Sequence, residues 1–289
     1  MPKVTVIMPN YNSKYIAESI HSVLEQSYAD IELIVVDDGS ETSLSSIAKT
    51  LAKTDSRMTI IENKENMGPA YSKNRGLSAA TGEFVTFVDS DDVIRPKRLE
   101  KMLLALNSAE RSIAYTDLFF MDWRGLVLEE SLVDAGRHLP PAGDAYSFLL
   151  TKDVWGLVTF MSRISTIRKV GFFNESLKWG EDFDLVLRLA KENKVVFIPE
   201  PLYGYRMHGQ STTSLTPLTS QARPYIWILE SNLSQSWDNL DETTRFRAVQ
   251  RIRRTARESG LFSKYVAWTV NPSFVRMAAP RIMKRFGFG

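Results

Sequence analysis

Three carboxylates within four residues, Asp89-Ser90-Asp91-Asp92, stand at the end of the apolar run Phe84-Val85-Thr86-Phe87-Val88. A buried strand that ends this way concentrates negative charge at a sheet edge, and a cation or a proton must relieve it. All-oxygen ligation suits Mg²⁺ or Mn²⁺. Mg²⁺ takes one or two protein carboxylates and completes its shell with phosphate oxygens and water, so the spacing points to a nucleotide diphosphate substrate. An acidic strand-to-helix turn, with Asp92 near the helix that Pro96 opens, explains the same residues without chemistry.

A second acidic group, Glu181-Asp182-Phe183-Asp184 after Gly180, enters the helical stretch Leu185–Glu192. First-turn carboxylates complement the helix dipole, so capping accounts for them as well as catalysis does. His208 lies in a polar segment, Tyr205-Arg206-Met207-His208-Gly209, where metal ligation, phosphate contact and a plain surface role all remain open.

The elements that must position these groups alternate along the first hundred residues. Short β-rich runs (Val4–Met8, Ile31–Val36, Met58–Ile61, Phe84–Val88) are separated by helical periodicity in Ile16, Ile20, Val23 and Leu24, in Ile47 and Leu51, and near Leu77. Such alternation predicts an α/β fold: a Rossmann-like, mostly parallel sheet with helices on both faces and ligands at the carboxyl ends of the strands. Polar clusters fall at three of those ends: Pro9-Asn10-Tyr11-Asn12, Asp37-Asp38-Gly39-Ser40, and Asp89 to Asp92. Gly68-Pro69 opens a further helix, on which Lys73 and Arg75 extend cationic reach toward a diphosphate. Beyond residue 110 the pattern becomes mixed strands with a hairpin at Arg124-Gly125, a loop at Pro140-Pro141-Ala142-Gly143, and a strand Val195–Ile198 ending at Pro199.

In order, these segments resemble the family 2 glycosyltransferases, enzymes of the GT-A fold that use nucleotide sugars. The resemblance runs from about Val4 to Ser214. It rests on Ile7-Met8-Pro9-Asn10-Tyr11-Asn12, Asp37-Asp38-Gly39-Ser40, Asn66-x-Gly68, Asp89-x-Asp91-Asp92, Glu181-Asp182 and Tyr205-Arg206-x-His208. It implies a donor site of Pro9, Tyr11, Asn12, Asp38, Asn66, Gly68, Lys73, Asp89 and Ser90. Tyr11 would lie against the nucleobase and Asp38 would accept the uracil imide hydrogen, which favours UDP or dTDP donors. Asp91, Asp92 and His208 would hold Mn²⁺ or Mg²⁺. Asp182 would be the base of an inverting, metal-dependent hexosyl transfer, with Glu181 in support. Where the family commonly has Arg-Asn, this chain has Lys73-Asn74, a point charge in place of a bidentate fork. Donor sugar and acceptor depend on the region from Tyr115 to Gly180, where Asp117, Arg163 and Trp179 are candidates. The resemblance implies a glycan or lipid-linked acceptor in cell-surface polysaccharide assembly. A sugar nucleotidyltransferase would begin with a Gly-rich, Arg-containing phosphate loop instead of Pro9 to Asn12; a binding module without transfer activity would need no base.

Composition sets the remaining bounds. With 289 residues, 44% of them hydrophobic, the chain can bury a full-sized core. The absence of cysteine excludes disulfides and thiolate metal sites and fits a cytoplasmic protein. The five residues Val4 to Met8 are too few for a signal-peptide core, and no stretch approaches a membrane span. Of 36 basic and 34 acidic residues, eleven and one fall in residues 245–289, leaving 25 and 33 before them. The expected domains are therefore 1–215, with a nucleotide-binding half (1–110) and an acceptor-binding half (111–215), and a basic helical extension, 216–289. Apolar stripes in that extension, Phe246/Val249/Ile252/Ala256 and Val275/Ala278/Ile282/Phe286, predict amphipathic helices across residues 241–289. These would attach the protein peripherally to the inner, anionic face of a membrane. A helical appendage that packs on the catalytic domain with solvated arginines, or that mediates self-association, explains the same residues, and nucleic acid is the less favoured partner because the acidic body repels phosphate.

Overall fold

The computed structural model describes residues 3–107, 112–134, 142–152 and 159–261. The chain divides into two compact units: Met1–Leu149 with Asp153–Leu215, and Leu150–Lys152 with Thr216–Gly289.

The first unit is built on one sheet. Its opening strands β1 (Val4–Asn10), β2 (Ile31–Asp37), β3 (Met58–Glu62) and β4 (Phe84–Phe87) pair in parallel in the order β3-β2-β1-β4. β1, β2 and β4 are mostly apolar and almost wholly buried, as parallel strands covered on both faces require, whereas β3 at the sheet edge is partly exposed. The helices α1 (Ile16–Leu24), α2 (Thr42–Ala52) and α3 (Pro69–Ala79) form the crossovers. The four strand assignments and three helices agree with the sequence periodicity.

Beyond β4 the sheet changes character. It continues through β8 (Met161–Arg163), β6 (Ser112–Met121), β9 (Lys194–Arg206) and β5 (Val93–Ile94), with β7 (Val127–Glu129) paired to β6. Here β4·β8, β6·β8, β6·β7 and β5·β9 are antiparallel and only β6·β9 is parallel. Parallel pairing thus characterises the first half of the sheet, and the second half is mixed. The hairpin between β6 and β7 turns at Gly125, whose φ of 86° suits glycine. Strand β9 runs through Pro199 and Pro201 to Arg206, well past the predicted end at Ile198. A register shift around Thr116 and Asp117 of β6 absorbs the prolines, which cannot donate to the ladder. Gly204 lets β9 pass, since a Cβ there would lie 2.4 Å from Phe119 Cζ. Helices α4 (Arg98–Asn107), α5 (Tyr146–Thr151), α6 (Ile164–Val170), α7 (Glu181–Glu192) and α8 (Thr212–Leu215) complete the described elements before residue 216.

Helix α3 differs from its neighbours in what it buries. Beside Ala70, Gly76 and Leu77 its inward face carries Ser72, Lys73 and Asn74. A fully buried aliphatic side chain contributes roughly 1.5–3 kcal/mol, whereas a satisfied hydrogen bond nets about 1 kcal/mol, so α3 spends stability on polarity. Close approach compensates: a Cβ at Gly76 would sit 2.5 Å from Ile7 Cγ2 of β1.

In the second unit α9 (Leu218–Ser236) leads through a 3-10 turn (Trp237–Asn239) to α10 (Glu242–Glu258), which packs on α9. Asp241 caps α10, its carboxylate accepting the Thr244 N–H at 2.9 Å. The predicted stripe is largely inside: Val249, Ile252 and Ala256 are buried and only Phe246 is exposed. What α10 presents outward is Arg247, Arg253, Arg254 and Arg257. The second stripe, from Val275 to Phe286, lies outside the described residues, as do Pro140 and Pro141. Among the described residues no helix is long and apolar enough to cross a membrane.

Candidate active site

The loops at the carboxyl ends of β1, β2 and β3 are bonded to one another. After β1, Tyr11 is 53% exposed and Asn12 adopts a left-handed conformation (φ 54°). Asn12 donates its N–H to Ser40 Oγ at 2.9 Å and accepts from the Glu41 N–H at 2.7 Å, tying the first loop to the second. Pro9, the penultimate residue of β1, is half-buried. Gly39 is required twice over: its φ is 74°, and a Cβ would lie 2.7 Å from the Glu65 carbonyl carbon.

Asp38 organises the loop after β3. Its Oδ1 accepts from Asn63 Nδ2 (2.6 Å) and the Met67 N–H (2.9 Å), and its Oδ2 from the Gly68 N–H (2.8 Å). An ionised carboxylate offers roughly four acceptor positions, so one on Oδ2 remains. Gly68 (φ 92°) is the N-cap of α3, and Asn66 beside it is exposed. Asn63 is the residue that sequence reasoning missed here. It also contacts Ser72 and accepts from Arg75 Nη1. Its signal was its position, one residue past a strand end. Arg75, expected to reach toward a diphosphate, instead bonds Asn63 and the Glu62 carbonyl and lines a groove with Ile61, Ser78, Phe172 and Glu175.

The acidic turn after β4 divides into distinct environments. Ser90 is buried, its carbonyl accepting from Ser13 Oγ (2.8 Å) and Ser19 Oγ (2.9 Å) of the β1–α1 region. Asp92, expected as a metal ligand, is 1% exposed and turned inward. Its Oδ1 takes the Arg206 N–H and its Oδ2 the Tyr203 hydroxyl, both at 2.8 Å, so it anchors β9 to the turn. Burial first, then the charges of Asp91 and Asp89, push its pKa well up, against these two hydrogen bonds. Asp91 faces outward, its side chain 28% exposed, and its Oδ2 lies 2.9 Å from His208 Nε2. Arg206 supports this pair: its Nε donates to the Asp91 carbonyl at 2.8 Å, its Nη2 pairs with Glu18 of α1 at 2.7 Å, and its guanidinium stacks on Tyr15. The Tyr15 ring in turn packs against His208. Sequence reasoning named Arg206 within a motif without seeing that it holds Asp91.

Among the described residues no group of three metal-ligating side chains converges. The Asp91–His208 pair nonetheless fits a divalent cation that draws its other ligands from diphosphate and water, since an oxygen and an imidazole nitrogen already share one hydrogen-bond position.

The second acidic group enters from α7. Gly180, left-handed at φ 79°, starts the helix, and Glu181, Asp182 and Asp184 occupy its first turn, where the dipole favours them. Asp184 is taken by Arg188 at 2.7 Å. Lys73 of α3 reaches the other two, its Nζ 3.0 Å from Glu181 Oε1 and 2.7 Å from Asp182 Oδ1. Side-chain exposures of 2% for Lys73, 10% for Glu181 and 25% for Asp182 leave Asp182 as the member a substrate can reach. Asn74 fixes the neighbouring loop through Phe173 and Glu175.

The charges form one system. Burial pulls the Lys73 ammonium down, but Asp182, Glu181 and Asp89 outweigh this and hold it above the ordinary range. Burial lifts Asp182 to about 6, Lys73 opposing and Glu181 adding to the rise. Asp89 is lifted to about 7 by burial, with Lys73 opposing and with Asp182, Asp91 and Glu181 adding. Asp89 is therefore the common electrostatic neighbour of Asp91 and Asp182. Two candidates for specificity lie elsewhere. Asp117 is buried and accepts from Ser131 Oγ and the Leu118 and Leu132 N–H groups, while Arg163 packs over Phe84 beside Glu83.

Comparison with known proteins bears on the same segments. The family described as Glycosyl transferase family 2 matches residues 5–135, and Glycosyl transferase family group 2 matches residues 84–282. TuaG of Bacillus subtilis (strain 168), a glycosyltransferase assigned to teichuronic acid biosynthesis, is 30% identical over 215 residues, covering 74% of this chain and 82% of that protein. An uncharacterised glycosyltransferase of Rickettsia bellii is 29% identical over 216 residues, and this chain spans only 30% of its length. Among solved structures, S. aureus TarS 1–349 in complex with UDP-GlcNAc superposes with a TM-score of 0.68 at 20% identity, over 97% of this chain and 81% of that one. That likeness establishes a shared GT-A-like fold. Because the matched family segments contain both acidic turns and the strands that carry them, the chain belongs to the family 2 glycosyltransferases.

Proposed function

We propose that the protein transfers a sugar, with inversion, from a UDP-linked donor to a hydroxyl group of a glycan or lipid-linked acceptor; dTDP is the second donor choice. The observation that carries this reading is the pairing of two solvent-reachable carboxylates, Asp91 and Asp182, around a common neighbour, Asp89. The S. aureus TarS complex with UDP-GlcNAc supports a UDP donor, and the teichuronic acid assignment of TuaG supports a role in cell-surface polysaccharide assembly.

In this reading the nucleoside lies over the loops after β1 and β2. Tyr11, exposed at the rim, offers a ring face to the base. The acceptor position left on Asp38 Oδ2 takes the imide hydrogen of uracil, and cytosine, which has no N–H there, is disfavoured. Asn66 and Gly68 border this pocket, and Asp89 and Ser90 line the ribose and diphosphate side. Asp91 and His208 would hold Mn²⁺ or Mg²⁺, which when bound supplies positive charge where the departing diphosphate accumulates negative charge. Asp182 takes the proton of the acceptor hydroxyl as it attacks the anomeric carbon, because an alcohol is too weak an acid to ionise beforehand. Glu181 shares Lys73 with it.

The test is a thermal-shift screen of the whole protein against UDP-, dTDP- and GDP-sugars, with and without Mn²⁺, followed by turnover of whichever donor binds. A Mn²⁺-dependent rise in Tm with a UDP-sugar, and its turnover, is the expected result. A response to GDP-sugars alone overturns the donor assignment.

A further inference from the structure

We propose that Lys73 is a positioning residue for the transfer step: its buried ammonium holds the Asp182 carboxylate in place and ionised, and does not grip the donor diphosphate. This rests on the reading of Asp182 as the base. Three features support it. Lys73 is covered, its side chain 2% exposed and its Nζ 5.3 Å from the centre of the Phe173 ring, so it is not presented to a ligand in the cleft. It also sits where several acceptors meet: Glu181 and Asp182 from α7 at 3.0 and 2.7 Å, with Asp89 from the turn after β4 nearby. An ammonium, with rotatable donors and no planar fork, suits two single contacts to different carboxylates better than a guanidinium does.

The charge balance gives the consequence. The charged groups that face Asp182 are Lys73 from α3, Glu181 from its own helix, and Asp89 from the turn after β4, whose own carboxyl senses the Asp182 charge. Without Lys73, like-charged carboxylates in a dry site would compete for a proton, and Asp182 would be the wrong species for a base over more of the pH range. Lys73 therefore links the side of the cleft that serves the leaving group to the side that serves the nucleophile.

The experiment compares wild type with Lys73→Met, Lys73→Arg and Glu181→Gln. It follows hydrolysis or transfer of the UDP-sugar that gives the largest thermal shift, at fixed Mn²⁺, and records kcat, donor KM and the pH profile of kcat/KM. For Lys73→Met the expected result is a donor KM within about twofold of wild type, a lower kcat, and an acid limb moved up by about 1–3 pH units. Lys73→Arg should return the limb toward the wild-type position. Glu181→Gln removes a like charge and should move the limb down. A donor KM raised about tenfold or more in Lys73→Met, with the limb unmoved, makes Lys73 a donor ligand and overturns the inference. If Lys73→Met does not fold, the Glu181→Gln profile decides: a limb coincident with wild type refutes the linkage. Asp182→Asn separates the two readings, since an inactive Asp182→Asn beside an unmoved Lys73→Met limb sinks only the role of Lys73, whereas a fully active one sinks the base itself.

Discussion

Lys73 Nζ lies 2.7 Å from Asp182 Oδ1, so a residue of the third crossover helix, α3, and a residue of α7, the last long helix of the first unit, meet 109 positions apart in sequence. The contact joins the parallel half of the sheet to the helix that carries the proposed base. It also explains the polar inward face of α3, because the helix is shaped by what it must deliver and not by the apolar area it covers.

Asp91 and Asp92 are adjacent but face opposite ways, and their amide variants should behave differently. Asp91→Asn should raise the Mn²⁺ concentration needed for half-maximal donor turnover while leaving Tm near wild type. Asp92→Asn puts an NH₂ donor against the Arg206 N–H or the Tyr203 hydroxyl, at a cost of about 1–3 kcal/mol in stability. Its Mn²⁺ midpoint should stay in place. Equal Mn²⁺ shifts in both variants would return Asp92 to the ligand set.

Gly39→Ala should be severe for its size. The substitution combines a left-handed backbone with a 2.7 Å approach to the Glu65 carbonyl carbon, and backbone cannot swing aside as a side chain does. A loss of about 1–3 kcal/mol in chemical denaturation is expected, together with a weaker thermal shift from the UDP-sugar. Wild-type stability in this variant would mean that the two loops do not need their observed contact.

Much of the first half was legible because buried parallel strands leave continuous apolar runs and their ends collect polar turns. The acidic turns and the Asn66-x-Gly68 helix start fell where those rules put them. What the sequence did not reveal is which way adjacent carboxylates point. Asp91 and Asp92 are indistinguishable by spacing, and the difference arises from Tyr203 and Arg206, more than 100 positions away. Asn63 and Arg75 were opaque for a related reason, since a side chain that bonds the next loop carries no periodic signature. The length of β9 was hidden by its two prolines, which read as a strand end until a register shift in β6 is known to accommodate them. Likewise, an amphipathic pattern in α10 announces an apolar face without saying that α9 covers it.

Glu230 of α9 offers a pH-dependent test of the second unit. Burial pushes its carboxyl up to about 7. Its folded pKa therefore exceeds its unfolded value, the native state binds the proton more tightly, and stability falls as pH rises from about 4.5 to 7. Glu230→Gln should raise Tm relative to wild type at pH 8, and the difference should vanish near pH 4.5. A Tm difference independent of pH would show that the carboxyl does not feel the burial seen here.

The outward arginines of α10 carry the proposal of peripheral attachment to an anionic membrane. With the stripe of α10 buried, such an attraction would be electrostatic, about 1 kcal/mol for each cation near the surface, and weakened by salt. Full-length protein should float with phosphatidylserine-containing vesicles at low salt and be released at high salt. Replacement of Arg247, Arg253, Arg254 and Arg257 by Gln should abolish flotation. Unchanged flotation of that variant would exclude this face as the attachment surface.

Asp182→Asn is nearly isosteric and removes the capacity to take a proton together with the charge that pairs with Lys73, so it addresses the division of labour between the two acidic turns directly. The measurement is sugar transfer at saturating donor, with donor binding followed in parallel by thermal shift in the presence of Mn²⁺. The account predicts an undiminished donor-induced rise in Tm and a transfer rate reduced by about 10²–10⁴-fold. Transfer at the wild-type rate would contradict it, because the proton of the acceptor would then have another destination.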